Sequence, residues 1–176
     1  DRLREDQRIR LYRSAQGSYR GLGFNVQAKP FDELKVRKAL AMATDLDSAV
    51  SNVFGENAIR AYGQVAPGLI GYDPSLAELC PYDPDGALAL LEEAGFTHGS
   101  DGLLQRDGEK LSVEIKTMNE PARVKMVTIM VTQLRKLGID AKLAIQEVGT
   151  WVADLQSGNT GLFMDFAYSG PTGLHA

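Results

Sequence analysis

The sequence predicts an α/β fold with a mixed, mostly parallel β-sheet flanked by helices. In the second half of the chain, three segments that alternate apolar and polar residues are separated by two segments of helical periodicity. The connections between the alternating segments are too long for hairpins and are typical of crossovers between parallel strands. The composition, 44% hydrophobic and 24% charged over 176 residues, is sufficient for one compact core.

The beginning of the chain is predicted to supply two short strands and a first helix. Basic and apolar residues alternate over residues 8–13, which predicts a strand, and residues 22–26 form a second strand candidate. A helix is expected over residues 33–44, with Asp32 as its capping residue. Its apolar positions recur at helical spacing, so one face of this helix is expected in the core.

Two further helices carry clear signals at their ends. Asp45 is placed to cap a helix that ends at Gly55. Asp83 is placed to cap the next helix, which has Pro84 at its first position and Gly95 as a left-handed stop. The proline and glycine mark both ends of this third helix, so its bounds are the best defined in the chain.

Strands and helices then alternate to the end of the chain. The alternating strands cover residues 111–117, 139–145 and 162–167. Pro121 opens a long helix that stops at Gly138, and a short helix is expected over residues 151–156. Ligands of open parallel sheets bind beyond the carboxyl ends of the strands. The loops at residues 118–119, 148–149 and 168–173 are therefore predicted to form a ligand site.

Composition excludes several classes of protein. Charged residues or glycines interrupt each hydrophobic run, so no stretch reaches the roughly 20 apolar residues of a membrane helix. The formal net charge of −4 argues against a nucleic-acid partner. Cys80 is the only cysteine, which excludes an intrachain disulfide. The sequence opens at Asp1 without an initiator methionine or a signal-like segment, so we expect a piece of a longer protein.

Motifs for catalysis or metal binding are missing from the sequence. His98 and His175 are far apart, and neither has a second ligand at helix-face spacing. Residues 83–86 resemble the start of a calcium loop, but Ala94 occupies the position that requires a bidentate glutamate. There is no G-x-S-x-G nucleophile elbow and no phosphate-binding loop. We therefore predict that the protein is not an enzyme and that it uses no metal and no cofactor.

Four motifs, in order along the chain, resemble the signatures of the family 5 solute-binding proteins of ABC importers. Residues 24–45 contain FN followed by KPFDELKVRKALAMATD, similar to the family pattern FN…PPFDDVRVRQALAYAID. Residues 82–96, YDPDGALALLEEAGF, resemble YDPEKAKALLAEAGF. Residues 134–140, LRKLGID, and residues 147–151, EVGTW, resemble LKKIGIDV and EWGTY. The resemblance covers the chain from about residue 8 to residue 173.

This resemblance implies a periplasmic-binding-protein-like lobe from a two-lobed receptor that closes over a small solute. Residues 1–20 would enter the lobe, and residues 21–176 would form it. The receptor would be a monomer that delivers a small or peptide-like ligand to a membrane permease of an ABC transporter. It would be periplasmic or extracellular, and the full-length protein could carry a lipid anchor. The alternative is a ligand-sensing domain of a regulatory protein that uses the same lobe.

The resemblance also indicates which residues line the cleft. The segment after the last strand lines the ligand cleft in the family. Family members place further cleft residues ahead of the first strand. The ligand-binding residues implied here are Ser18, Tyr19, Asn119, Tyr168, Ser169, Gly170, Pro171 and Thr172. Asn25, by contrast, is expected to have a structural role, because asparagine side chains commonly hydrogen-bond to the backbone in turns.

One position departs from the family pattern. Peptide-binding members carry an acid three residues after the cleft aromatic, where it holds the ligand's ammonium group, and this position is Pro171 here. Charge-assisted hydrogen bonds are about twice as strong as neutral ones, so recognition of a free amino terminus should be weaker. Metal chelates, modified peptides, opines and sugars therefore stay open as ligands.

Overall fold

The computed structural model describes residues 8–10, 12, 18–65, 67 and 69–168, and for residues 18 and 165–168 it describes the backbone alone. The strands are β1 (Ser18–Phe24), β2 (Thr97–His98), β3 (Leu104–Arg106), β4 (Glu109–Lys110), β5 (Ser112–Met118), β6 (Asp140–Gln146) and β7 (Leu162–Tyr168). The helices are α1 (Leu34–Met42), α2 (Leu46–Phe54), α3 (Pro84–Glu93), α4 (Pro121–Lys136) and α5 (Val148–Ser157), with 3-10 turns at Gly55–Asn57 and Pro74–Leu79.

The main sheet has four strands in the order β1-β7-β5-β6. Strand β5 pairs in parallel with both β6 and β7, while β1 pairs antiparallel with β7. The crossover from β5 to β6 contains α4, and the crossover from β6 to β7 contains α5. The predicted α/β class with a mixed, mostly parallel sheet is therefore confirmed.

Helices cover both faces of this sheet. On one face of β5, Val113 and Ile115 are almost fully buried and belong to the same core cluster as Val127 and Leu134 of α4. On the opposite face, Lys116 of β5 bonds to α5. The alternation that predicted β5 therefore reflects an apolar face against α4 and a polar face toward α5. Within the described ranges, none of the helices combines the length and apolar character needed to cross a bilayer.

Aspartates cap α2 and α3 as predicted. The Asp45 carboxylate accepts a hydrogen bond from the backbone N of Ser48 at 2.9 Å. The Asp83 carboxylate accepts one from the backbone N of Gly86, also at 2.9 Å. Each bond satisfies an amide that has no partner within its own helix.

The prediction that Asp32 caps α1 is wrong. The N-cap is Glu33, which makes no capping bond with its side chain. Its carboxylate instead accepts a 2.9 Å hydrogen bond from Nη1 of Arg106 in β3. The carbonyl oxygen of Asp32 accepts a hydrogen bond from Arg37. Tertiary pairing with β3 therefore replaces the local cap that the sequence favoured.

The first strands also differ from the prediction. Residues 8–10 and 12, the described part of the first predicted strand, are not in a strand, and the second begins earlier and ends earlier, at Ser18–Phe24. The backbone N of Asn25 makes one further bond toward β7, to the carbonyl of Gly161 at 2.8 Å. Its side-chain oxygen then accepts from the backbone N of Gln27, as in an Asx turn, and the chain leaves the strand. The side chain of Asn25 therefore hydrogen-bonds to the backbone, as the sequence predicts.

A small three-stranded sheet, β2-β3-β4, was not predicted. Its strands contain two or three residues each, too few to show an alternating pattern. Asp107 and Gly108 connect β3 to β4 with φ values of 53° and 81°. Two consecutive left-handed residues between paired strands are typical of a type I′ hairpin turn.

Candidate functional site

The ends of four strands form one edge of the main sheet. Because β5, β6 and β7 are parallel, their last residues, Met118, Gln146 and Tyr168, lie at the same edge. Strand β1 runs the other way, and its first residue, Ser18, is paired in register with Tyr168. We call this the carboxyl edge. It is the edge at which the sequence predicts a ligand site.

The structure places several predicted site residues along the carboxyl edge. Tyr19 is half-buried and lies opposite Ala167 in the pairing of β1 with β7. Asn119 is exposed, and its backbone N donates to the carbonyl of Gln146 at 3.0 Å, which joins the ends of β5 and β6. The backbones of Ser18 and Tyr168 are described, but their side chains are not. Four predicted residues lie outside the described part of the chain: Ser169, Gly170, Pro171 and Thr172.

Helix α5 flanks this edge beyond β6. Its first residues, Val148 and Gly149, are exposed and form the second predicted loop. A polar network fixes the helix to the sheet: Lys116 donates to the Asp154 carboxylate at 2.7 Å, and so does Gln146. These hydrogen bonds, that of Lys116 above all, lower the pKa of Asp154 to about 2. The carboxylate is therefore ionised at any physiological pH.

Three charged residues near the carboxyl edge were missed by the sequence analysis. Nη1 of Arg20 lies 3.0 Å from Oε2 of Glu120, and Nε of Arg123 donates to the same oxygen at 3.1 Å. The Arg20 guanidinium also lies over the ring of Phe54, 5.8 Å from its centroid. We call Arg20, Glu120 and Arg123 the edge ion cluster. An arginine inside an otherwise apolar strand was the available signal.

Two cavities lie at the opposite edge of the sheet. One, of about 270 Å³, includes Lys29, Phe96 and Arg106 in its lining. The Arg106 guanidinium there lies 4.4 Å from the Phe96 centroid and pairs with Glu33, whose pKa that hydrogen bond lowers. The other cavity, of about 410 Å³, includes Asn25 and Phe163. The Arg106 charge in the first cavity is thus engaged in packing β3 against the start of α1.

Among the described residues, His, Cys, Asp and Glu side chains do not gather in groups of three or more that could hold a metal ion. The hydrogen-bonding groups at the carboxyl edge include a phenol, an amide and guanidinium groups. Such groups bind a solute by hydrogen bonds and charge.

A family model described as bacterial extracellular solute-binding proteins, family 5 Middle, matches residues 1–172. The oligopeptide-binding protein AppA of Bacillus subtilis is 33% identical over 146 residues, which are 81% of this chain and 27% of that protein. The nickel-binding periplasmic protein of Escherichia coli is 31% identical over 162 residues, 88% of this chain and 30% of that protein. The chain therefore spans less than a third of the length of these relatives.

Solved structures share the fold. NikA from Brucella suis, in complex with Fe(III)-EDTA, superposes with a TM-score of 0.80 at 29% identity and covers 90% of this chain and 32% of its own. AppA from Bacillus subtilis, in complex with a nonapeptide, superposes with a TM-score of 0.77 at 29% identity, again over 90% of this chain and 32% of its own. The predicted periplasmic-binding-protein-like fold is thus confirmed.

Proposed function

Because the chain belongs to the bacterial extracellular solute-binding proteins of family 5, we propose that it is part of the substrate-binding component of an ABC importer. The observation that carries this proposal is the carboxyl edge, where three parallel strands end and β1 begins. In open α/β sheets this is the edge at which ligands bind. The edge would form one wall of a cleft, and a second lobe of the full-length protein would form the other.

Binding without chemical conversion fits the residues at this edge. Tyr19, Asn119 and the residues after β7 would contact the solute, and the protein would not act as an enzyme. A ligand that touches both walls makes its full set of contacts only when the lobes are closed, so it shifts the equilibrium toward the closed form. The permease would then receive the ligand from that form.

The remaining properties of the full-length protein follow from the same proposal. Relatives are named for oligopeptides, dipeptides, glutathione and nickel, so a peptide-like solute or a metal chelate is the ligand class we propose. The protein would act outside the cytoplasm as a monomer, with or without a lipid anchor, and residues 21–176 would form the lobe. Relatives that are themselves binding proteins favour this function over a ligand-sensing domain of a regulator.

Thermal unfolding of the full-length protein tests this function. Each probe is added separately: the dipeptide Met-Leu, glutathione, the nickel–histidine complex and mannohexaose. A probe at 100 times its Kd should stabilise the folded state by about 2.7 kcal/mol. A panel without any shift at millimolar concentrations would contradict the proposal.

Substitution of Tyr19 locates the binding site. Tyr19→Ala should reduce the shift caused by an active probe, because Tyr19 lies at the carboxyl edge. Tyr82→Ala is the matched control, since Tyr82 is 52% exposed and lies in the segment before α3. Equal effects of the two substitutions would place the ligand elsewhere.

A further inference from the structure

Strand β6 is a terminal strand of the main sheet among the described residues, so one of its two sides is not paired with another strand there. Alternate residues of a strand direct their backbone groups to opposite sides. The backbone N of Asp140 donates to the carbonyl of Leu111, and the carbonyl of Gln146 accepts from Asn119, so the even-numbered residues of β6 bond toward β5. The odd-numbered residues direct their backbone groups to the unpaired side, which we call the lateral edge: Ala141, Leu143 and Ile145.

One backbone group of the lateral edge is covered by a charged side chain. Nε of Arg135, in the last turn of α4, donates to the carbonyl of Ala141 at 2.7 Å. Ala141 is 0% exposed, whereas Ile145 near the other end of β6 is 50% exposed. The guanidinium of the preceding helix therefore occupies the first outward carbonyl of the strand.

The rest of the lateral edge combines a charge with exposed apolar side chains. Lys142, whose side chain is 61% exposed, places a second cation in β6. Ile145, Val148 and Val152 are exposed β-branched residues at the end of β6 and in the first half of α5. Such residues favour strand pairing, whereas charged side chains on an edge strand oppose it. Resistance of this edge to pairing therefore depends on its few cations.

We propose that Arg135 prevents the lateral edge of β6 from pairing with the same edge of a second copy of the protein. Two copies of β6 would pair antiparallel about a twofold axis, because each presents the same outward backbone groups. Arg135 opposes this pairing in two ways. It occupies the carbonyl of Ala141, and each copy would bring a like charge to the interface. The inference concerns assembly and is independent of the solute that the protein binds.

Sedimentation velocity of the full-length protein over a concentration series tests the role of Arg135. Arg135→Ala should self-associate at concentrations about tenfold lower than wild type or less, because the freed carbonyl of Ala141 gains a new protein partner only in the associated form. Arg135→Met, which keeps the aliphatic part of the side chain, should associate in the same way. Arg135→Lys should behave like wild type, because the charge and a donor remain.

Lys136→Ala is the matched control. Lys136 is also exposed and basic in the last turn of α4, but it makes no bond to β6 among the described residues. Its removal changes the net charge equally and should leave the sedimentation profile unchanged. The double variant Arg135→Ala with Ile145→Lys locates the interface, since a new charge in β6 should restore the behaviour of wild type.

The thermal stability of each variant separates this role from a purely structural one. If Arg135 only stabilises the turn between α4 and β6, Arg135→Ala and Arg135→Met will melt at a lower temperature without associating, and this result would overturn the inference. Equal association of Arg135→Ala and Lys136→Ala, or association that persists in the double variant, would also overturn it. Association of the alanine and methionine variants that Ile145→Lys reverses supports it.

Discussion

Lys116 of β5 and Asp154 of α5 form an ion pair, with 2.7 Å between Nζ and Oδ2, across the face of the sheet that α5 covers. Their side chains are only 15% and 17% exposed. Gln146 and Asn159 donate to the same carboxylate. The bonds from Lys116 of β5 and Gln146 of β6 therefore hold α5, whose first turn flanks the carboxyl edge, against two strands of the sheet.

Acid should weaken the protein through Asp154. Hydrogen bonds from Lys116, Gln146 and Asn159 lower its folded-state pKa from 3.8 to about 2. A lowered carboxyl pKa stabilises the folded state above the unfolded pKa, and that stabilisation is lost as the pH falls through the folded pKa. The free energy of unfolding, measured in urea between pH 5 and pH 2, should therefore decline most steeply below about pH 4.

Asp154→Asn removes the carboxylate and tests this assignment. The variant should unfold at a lower temperature at pH 7 and should lose less stability between pH 5 and pH 2. Among the described residues, Glu33, Asp73, Asp101 and Asp140 also contribute to the remaining pH dependence, because hydrogen bonds lower their pKa values too. An unchanged pH profile in Asp154→Asn would show that the carboxylate contributes nothing.

The two faces of α1 should respond differently to truncation. Leu40 is 1% exposed within the core, whereas Leu34 on the same helix is 56% exposed. Leu40→Ala should cost about 2–5 kcal/mol in the free energy of unfolding, because it removes buried methyl groups and leaves a cavity. Leu34→Ala is the control and should change stability by no more than about 0.5 kcal/mol. Urea denaturation measures the free energy of unfolding of both variants. Equal losses of stability in Leu40→Ala and Leu34→Ala would show that α1 packs against the core with a different face.

Gly138 is required for the turn between α4 and β6. Its φ of +86° is unfavourable for other residues, and an added Cβ would lie 2.8 Å from the carbonyl oxygen of Gly102. Gly138→Ala should therefore destabilise the protein by about 1–3 kcal/mol. Gly149→Ala is the contrasting variant, because nothing lies within 4 Å of its added Cβ and the residue is helical. It should stabilise by about 0.5–1 kcal/mol, and a loss of stability instead would contradict the open surroundings.

Asn119 should contribute to ligand affinity if it contacts the solute. Asn119→Ala in the full-length protein should weaken binding of an active probe about twofold to tenfold, the usual effect of losing one neutral hydrogen bond. Asn52→Ala is the control, since the Asn52 amide bonds Ser48 within α2. Calorimetry measures both affinities. An Asn119→Ala variant that binds like the control would remove Asn119 from the site.

Local patterns in the sequence determined most helices and strands. The helix caps Asp45 and Asp83 act through amides three residues away, so they can be recognised without knowledge of the fold. The alternation over β5 is also local, because one face of the strand is apolar along its length. Parallel order followed from the long connections, and with it came the prediction that a ligand site lies at the carboxyl edge.

Contacts between distant residues were decided by the tertiary structure. Strand β1 contains Gly21 and Gly23, which weaken a strand signal, and it is stabilised by pairing with β7 at the other end of the chain. Glu33 pairs with Arg106 across the fold, and Arg20 meets Glu120 only because β1 and β5 both flank β7. Pairing energies of this kind depend on which strands become neighbours, a property that no local window of the sequence contains.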